Sequence, residues 1–231
     1  MSDPAGPSSM LLGTLMVLTV VSGLVDAVSY LGLGHVFTAN MTGNVVLLGF
    51  AAAGAPGFSI PASLASLGSF LVGAACAGRL TLHIDSRRRW LLTAMAIEGL
   101  LAGGAAVVAS STSTIGSGWP RYAVIVLMAF AMGVRNSTIR RLAVPDVTTT
   151  VLTMTLTGLA ADSTLAGGSN PKVGRRTAAV VAMLVGAIVG AALFLHQGAT
   201  IPLAVVAAMV LATAFVFARS ASSRLLDSPS S

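Results

Sequence analysis

Apolar residues in this chain fall into long, nearly uncharged runs separated by short basic or small-residue joints. Between Pro4 and Gly78 the only formally charged side chain is Asp26. Crossing the hydrocarbon core of a bilayer takes about 20 mostly apolar residues per helix. Six segments meet that length: Leu11 to Leu33, Pro61 to Leu80, Trp90 to Ser110, Tyr122 to Ser137, Thr177 to His196 and Ile201 to Ala218. All six read as helices, because an open strand would leave its backbone groups unpaired in lipid and the alternating pattern of a barrel is missing. Two further apolar segments, Met41 to Ala53 and Val147 to Ala161, are shorter, rich in Thr and Gly, and entered through polar sequence. They read as re-entrant or broken helices. The expected fold class is all-α: a polytopic transmembrane helix bundle of six full spans plus two short re-entrant or broken helices, forming one domain over residues 1–231.

The loop charges bear on the span count. Arg79 with Arg87, Arg88 and Arg89, then Arg140 and Arg141, then Lys172 with Arg175 and Arg176, then Arg219 and Arg224, are the clusters that normally mark cytoplasmic loops. Eight full spans would put some of them outside. Six spans with two returning segments put all of them inside, with both termini, tails 1–9 and 220–231, cytoplasmic. The joints Gly54 to Ser59, Ser111 to Gly118 and Gln197 to Thr200 then lie outside. No Lys or Arg precedes the first apolar run, which is longer than a signal-peptide core, so it is expected to be a retained span.

Composition agrees with this picture: 55% of residues are hydrophobic, 9% are charged and mean hydropathy is +0.90. A soluble domain carries roughly a quarter charged residues. The net charge of +6 raises the question of nucleic acid, but the basic residues lie between apolar runs and aromatics are only 5% of the chain. The expected partner is the lipid bilayer and not nucleic acid. Homo-oligomerisation stays open. Cys76 is the single cysteine, so no intramolecular disulfide can form, and it reads as inert packing.

The halves, 10–110 and 119–219, echo each other. GLVDAVSY is followed by GHVFTANMTGNVVLLG, and GVRNSTIRR by LAVPDVTTTVLTMTLTG. Asp26 then corresponds to Asn136, and the cluster Thr38, Asn40, Thr42, Gly43 and Asn44 to the threonines from Thr148 to Thr157. Three spans per half is an odd number, so the repeat would be inverted. In transporters of that architecture, sites lie near the midplane where paired discontinuous helices meet. The plainer alternative is that these Thr, Ser and Gly residues only pack helices.

The stretch VDAVSYLGLGHVFTANMTGNVVLLG resembles the hallmark segment of the YoaK family of bacterial integral membrane proteins, and GVRNSTIRR with its threonine-rich continuation resembles that family's second block. The resemblance covers the chain from about Gly23 to the last helix. LTMTLTG departs from the plainer Thr-Gly ending of that block. The resemblance implies a small polytopic inner-membrane protein and supplies no substrate.

Asp26 lies well inside the first run, where an ionised carboxylate costs about 2.5 to 3.5 kcal/mol even on a lenient scale. It reads as a proton-titrating or cation-coordinating acid, the alternative being an acid bonded to the neighbouring Thr/Asn cluster. Glu98 is followed by Gly99 and Gly103, spaced to let another helix approach. Arg135 is a candidate ion-pair partner for either acid, or can snorkel to the headgroups. Gly186 and Gly190 form a second such pair, suited to packing within the chain. The candidate solute or ion path is Asp26, Asn40, Thr42, Gly43, Asn44, Glu98, Arg135, Asn136, Thr149 and Thr153. No Walker loop, HExxH or GxSxG is present, and His35, His83, His196 and Cys76 lack metal-ligand spacing, so no catalytic residue, metal or cofactor is expected. An acid dyad of Asp26 and Glu98 would be the one enzymatic alternative. The leading expectation is a transporter or channel-like permease for a small molecule or ion; the alternative is a non-transporting membrane scaffold or assembly subunit.

Overall fold

Residues 9–112, 115–142, 152–169 and 172–220 are described in a computed structural model, and all their regular structure is helical. The α-helices are α1 (Ser9–Gly32), α2 (Met41–Ala52), α3 (Ile60–Leu80), α4 (Arg87–Ser110), α5 (Gly118–Leu142), α6 (Leu152–Ala161), α7 (Val173–Gln197) and α8 (Thr200–Arg219). Six of them, all but α2 and α6, are long and apolar enough to cross a membrane. Their starts follow from local chemistry. Ser59 accepts from the Ala62 amide ahead of α3, with Pro61 in the first turn, and Ser86 accepts from the Arg89 amide ahead of α4.

Boundaries differ from the hydrophobic runs in informative places. Helix α5 begins at Gly118, ahead of the expected Tyr122, because Pro120 is tolerated in a first turn where its missing amide has no partner to lose. It continues past Ser137 to Leu142, carrying Arg140 and Arg141 in its last turn, where cations suit the helix dipole. Helix α7 starts at Val173 and not Thr177, so its basic residues belong to the helix. Of the segment Val147 to Ala161, residues 147–151 lie outside the described ones. Cys76, expected to be packed, is exposed on the outer face of α3.

The packing is interlocked. Helix α1 lies along α7, α3 lies along α5, and α4 packs on both α8 and α5. Glycines set the two first crossings by letting backbones touch. A Cβ on Gly23 would strike the Met183 carbonyl and one on Gly186 the Val20 carbonyl; a Cβ on Gly133 would strike the Phe70 carbonyl and one on Gly73 the Phe130 carbonyl. These are the same contact made twice, with the halves exchanged: Gly23 and Val20 take the places of Gly133 and Phe130, and Gly186 and Met183 those of Gly73 and Phe70. The same register sets Asp26 opposite Asn136. The expected GxxxG of Gly186 and Gly190 therefore packs within the chain, on α1. Gly99 and Gly103 receive α8, at Leu211 and Ala207.

Contacts at the helix ends fix directions. Leu31 and Gly32 of α1, Ala109 of α4, Phe194 and Gln197 of α7 and Thr200 of α8 line one depression of about 430 Å³. Arg121, at the start of α5, donates Nε to the Leu33 carbonyl at 2.8 Å, at this same end. At the opposite end Arg88, starting α4, donates to the Ala218 carbonyl at 2.7 Å, closing α8. So α1, α4 and α7 run one way, and α3, α5 and α8 the other. The α2 segment leaves and returns at one end, where His35 Nδ1 meets the Gly57 carbonyl at 2.9 Å. The α6 segment returns at the other end, since α5 finishes and α7 starts there. The chain has six crossings and two re-entrant helices in inverted halves, and the eight-span count does not hold. Arg79, Arg87 to Arg89, Arg140, Arg141, Lys172, Arg175, Arg176 and Arg219 all gather at a single end.

Single cysteines in a Cys76→Ser background test this path. His35→Cys and Gly57→Cys should react with an impermeant thiol reagent from one side of the membrane, and Ala161→Cys and Gly174→Cys from the other. Reaction of the first two from opposite sides would restore α2 as a full span.

Candidate functional site

Beyond His35 the chain descends into the bundle, and side chains take up the peptide groups of Phe37, Thr38 and Ala39. Asp26 is nearly two turns before the end of α1, about 9 Å down the helix at a rise of roughly 1.5 Å per residue. Its Oδ1 accepts from the amides of Thr38, at 3.1 Å, and Ala39, at 2.8 Å. On the other flank Asn44 of α2 accepts from the Phe37 amide at 2.8 Å and donates to the Phe37 carbonyl at 2.6 Å and to Ser66 Oγ at 3.0 Å. Ser66 donates to the same carbonyl at 2.6 Å. The descending segment ends at Asn40, whose Oδ1 accepts from the Gly43 amide at 3.2 Å and caps α2. Helix α2 thus starts deep in the bundle and climbs back.

A cavity of about 490 Å³ opens at that helix start, where Asn40 and Thr42 are exposed. Asp26, Asn40, Thr42 and Gly43 line it from the first half, and Leu152, Thr153 and Leu156 of α6 from the second. Phe70 and Met183 line it from α3 and α7. Those two are the equivalent residues of the two glycine crossings, so the cavity straddles the axis that relates the halves. Asp26 is 5% exposed, and its remaining exposure belongs to a group lining this space.

Five of the expected path residues meet here: Asp26, Asn40, Thr42, Gly43 and Thr153. Asn44 does not line the cavity; it is fully buried in the clasp on Phe37. Asn136 donates to the Met132 carbonyl of its own helix at 3.0 Å and does not line it either. Thr149 lies outside the described residues.

Glu98 and Arg135 form a separate centre. Arg135 Nε donates to Glu98 Oε2 at 2.7 Å and Nη2 pairs with Oε1, while Nη1 donates to Ser22 Oγ at 2.6 Å and to the Leu18 carbonyl at 2.9 Å. This bidentate geometry is what a planar guanidinium offers a carboxylate. Both side chains are buried, with Leu18, Leu91, Met95 and Ile139 around them. Arg135 therefore pairs with Glu98 and does not snorkel, and the network joins α1, α4 and α5. Asp26 and Glu98 take different partners and make no carboxyl dyad among the described contacts. No group of three His, Cys, Asp or Glu stands close enough to hold a metal among the described residues.

Four site residues escaped the sequence reading. Ser66 and Ser22 carry the signal of small polar residues inside apolar runs, Ser22 one turn before Asp26. Phe70 and Met183 look like any apolar wall.

Helix α6 is tied down at its far end by Arg176, which donates to the Gly158 carbonyl at 2.9 Å and to Asp162 Oδ2 at 2.6 Å. The far end of α2 is held instead by rings: Phe50 and His35 both pack on Phe58, with centroids 5.5 and 5.7 Å apart.

Comparison with known proteins places residues 14–216 in a match to the family described as "Protein of unknown function (DUF1275)". Over 153 residues the chain is 35% identical to the UPF0700 transmembrane protein YoaK of Bacillus subtilis (strain 168), covering 64% of this chain. The chain spans 65% of that relative's length. No solved structure matches it.

The buried pair generates a stability prediction. Removing one partner, in Glu98→Gln or Arg135→Gln, should cost about 3–5 kcal/mol, because the other is left buried and unpaired. The double variant Glu98→Leu with Arg135→Met should lose much less than the sum. Thermal unfolding in detergent measures both, and additive losses would show that the two do not act as a pair.

Proposed function

We propose that this chain, which belongs to the DUF1275 family, is a permease for a small solute, with its path through the cavity between the two re-entrant helices. The observation that carries this reading is the pairing itself: a space of about 490 Å³ bounded by the first turns of α2 and α6, which come from inverted halves. Cavities of this size suit small-molecule ligands, and inverted repeats with discontinuous helices favour binding near their common axis. Asp26, Asn40, Thr42, Gly43 and Thr153 are the polar groups a solute would meet. The mechanism is binding and release with no chemical step, so the protein acts without a cofactor and not as an enzyme. A movement of one half against the other would expose the cavity to each side in turn.

The reading includes an orientation. The end of the bundle that gathers the arginine clusters faces the cytoplasm of a bacterial inner membrane, and both termini lie there. In intact cells, Ser86→Cys should then resist an impermeant thiol reagent while Gly57→Cys reacts.

Uptake into liposomes tests the path. Purified protein should accelerate entry of at least one member of a panel of labelled small solutes. Thr153→Trp, which fills the cavity from the tip of α6, should cut that flux at least about tenfold, equal to ~1.4 kcal/mol on the barrier, with unchanged thermal stability. Absence of flux for every solute with a folded wild-type protein would favour a scaffold or assembly subunit.

A further inference from the structure

The chemistry of the cavity wall narrows the solute class. Among its described lining residues Asp26 is the only ionisable one. Arg135, whose charge also acts on Asp26, does not line the cavity and is bonded to both carboxylate oxygens of Glu98 and to α1. The wall therefore presents a negative charge and no positive one.

Helix starts ordinarily draw anions, because their first amides lack partners. Here the protein already sets a carboxylate of its own beside the start of α2, bonded to the segment that precedes the helix. Asp26 Oδ1 takes the amides of Thr38 and Ala39, and Asn40 takes that of Gly43. A second anion in the cavity would stand beside a buried carboxylate, which low dielectric makes costly. The Thr38 and Ala39 amides both donate to Oδ1 and the Asn40 amide also acts on the carboxylate, so the preceding backbone orients it at the cavity wall.

The remaining walls argue for an organic group and not a bare metal ion. Hard cations take six or more oxygen ligands, and the cavity adds to Asp26 only the Thr42 and Thr153 hydroxyls and the Asn40 amide among its lining side chains. Phe70 and Met183 also line it, an aromatic ring and a thioether, which accept an alkyl chain and favour a nearby cation. We propose that the site binds a small alkylammonium, with the ammonium N–H groups donating to the Asp26 carboxylate and the alkyl chain lying against Phe70 and Met183. This rests on the reading of the cavity as a solute site.

The test uses the full chain in detergent with three probes of one size: n-butylammonium, n-butanol and n-butyrate. Butylammonium should raise the melting temperature in a saturable way, and the alcohol and butyrate should not. Asp26→Asn, which keeps an acceptor for Thr38 and Ala39, should weaken butylammonium binding at least about tenfold, and Asp26→Glu should restore part of it. If Asp26→Asn does not fold, Phe70→Leu decides: it leaves the carboxylate intact and should weaken butylammonium binding severalfold. Equal stabilisation by butanol or butyrate, or wild-type binding by either Asp26→Asn or Phe70→Leu, overturns the proposal. The two readings fail differently. Flux of a neutral or anionic solute without butylammonium binding leaves the permease and removes the ammonium site. Butylammonium binding without flux of any solute leaves the site and removes the permease.

Discussion

Everything near the centre of this molecule depends on how peptide groups from Phe37 to Asn40 are hydrogen-bonded so far from either end of the bundle. In hydrocarbon an unpaired amide or carbonyl costs several kcal/mol, so irregular backbone survives there only when protein groups replace water. Asp26, Asn44 and Ser66 do that replacing, from three different helices. Without them these peptide groups would be left unpaired in the bundle interior. The intramembrane acid is thus a structural clamp, and that clamp is what holds the acid at the cavity wall.

The second constraint is the exchange of helices between halves. Each half gives its first helix to the third of the other, through glycines whose backbones touch. Neither half encloses its own first helix; each first helix lies along a helix of the other half. The Glu98–Arg135–Ser22 network departs from this symmetry, because the position equivalent to Arg135 in the first half is Val25. Its cation comes from the second half and its acceptors from the first. The network therefore ties the halves together, although a buried pair is weak evidence of net stability.

Much of this was legible in the chain itself, for identifiable reasons. Charge-free runs of bilayer length revealed the six crossings, and the spread of arginines separated six from eight, because membrane insertion penalises charge more strictly than any soluble fold does. The repeat was visible as Asp26 against Asn136, and the glycine crossings share that register. Asn44 was grouped with the solute path because an amide that bonds a peptide and one that bonds a solute look alike in a sequence. Asn136 turns to its own helix for the same reason. The start of α5 was hidden by Trp119, Pro120 and Arg121, residues that read as loop but suit a first turn. Which of Asp26 and Glu98 would take Arg135 depended on helix rotation, which no run of letters records.

The two re-entrant helices are anchored by different forces at their outer ends. Aromatic rings hold α2, and an ion pair holds α6, with the Asp162 side chain 43% exposed and that of Arg176 13%. Packed rings are indifferent to dissolved electrolyte, whereas a half-open ion pair is screened as ionic strength rises. Ionic strength therefore bears on the two ends unequally: electrolyte screens the charge contact that anchors α6 and has no such contact to screen among the rings at the end of α2.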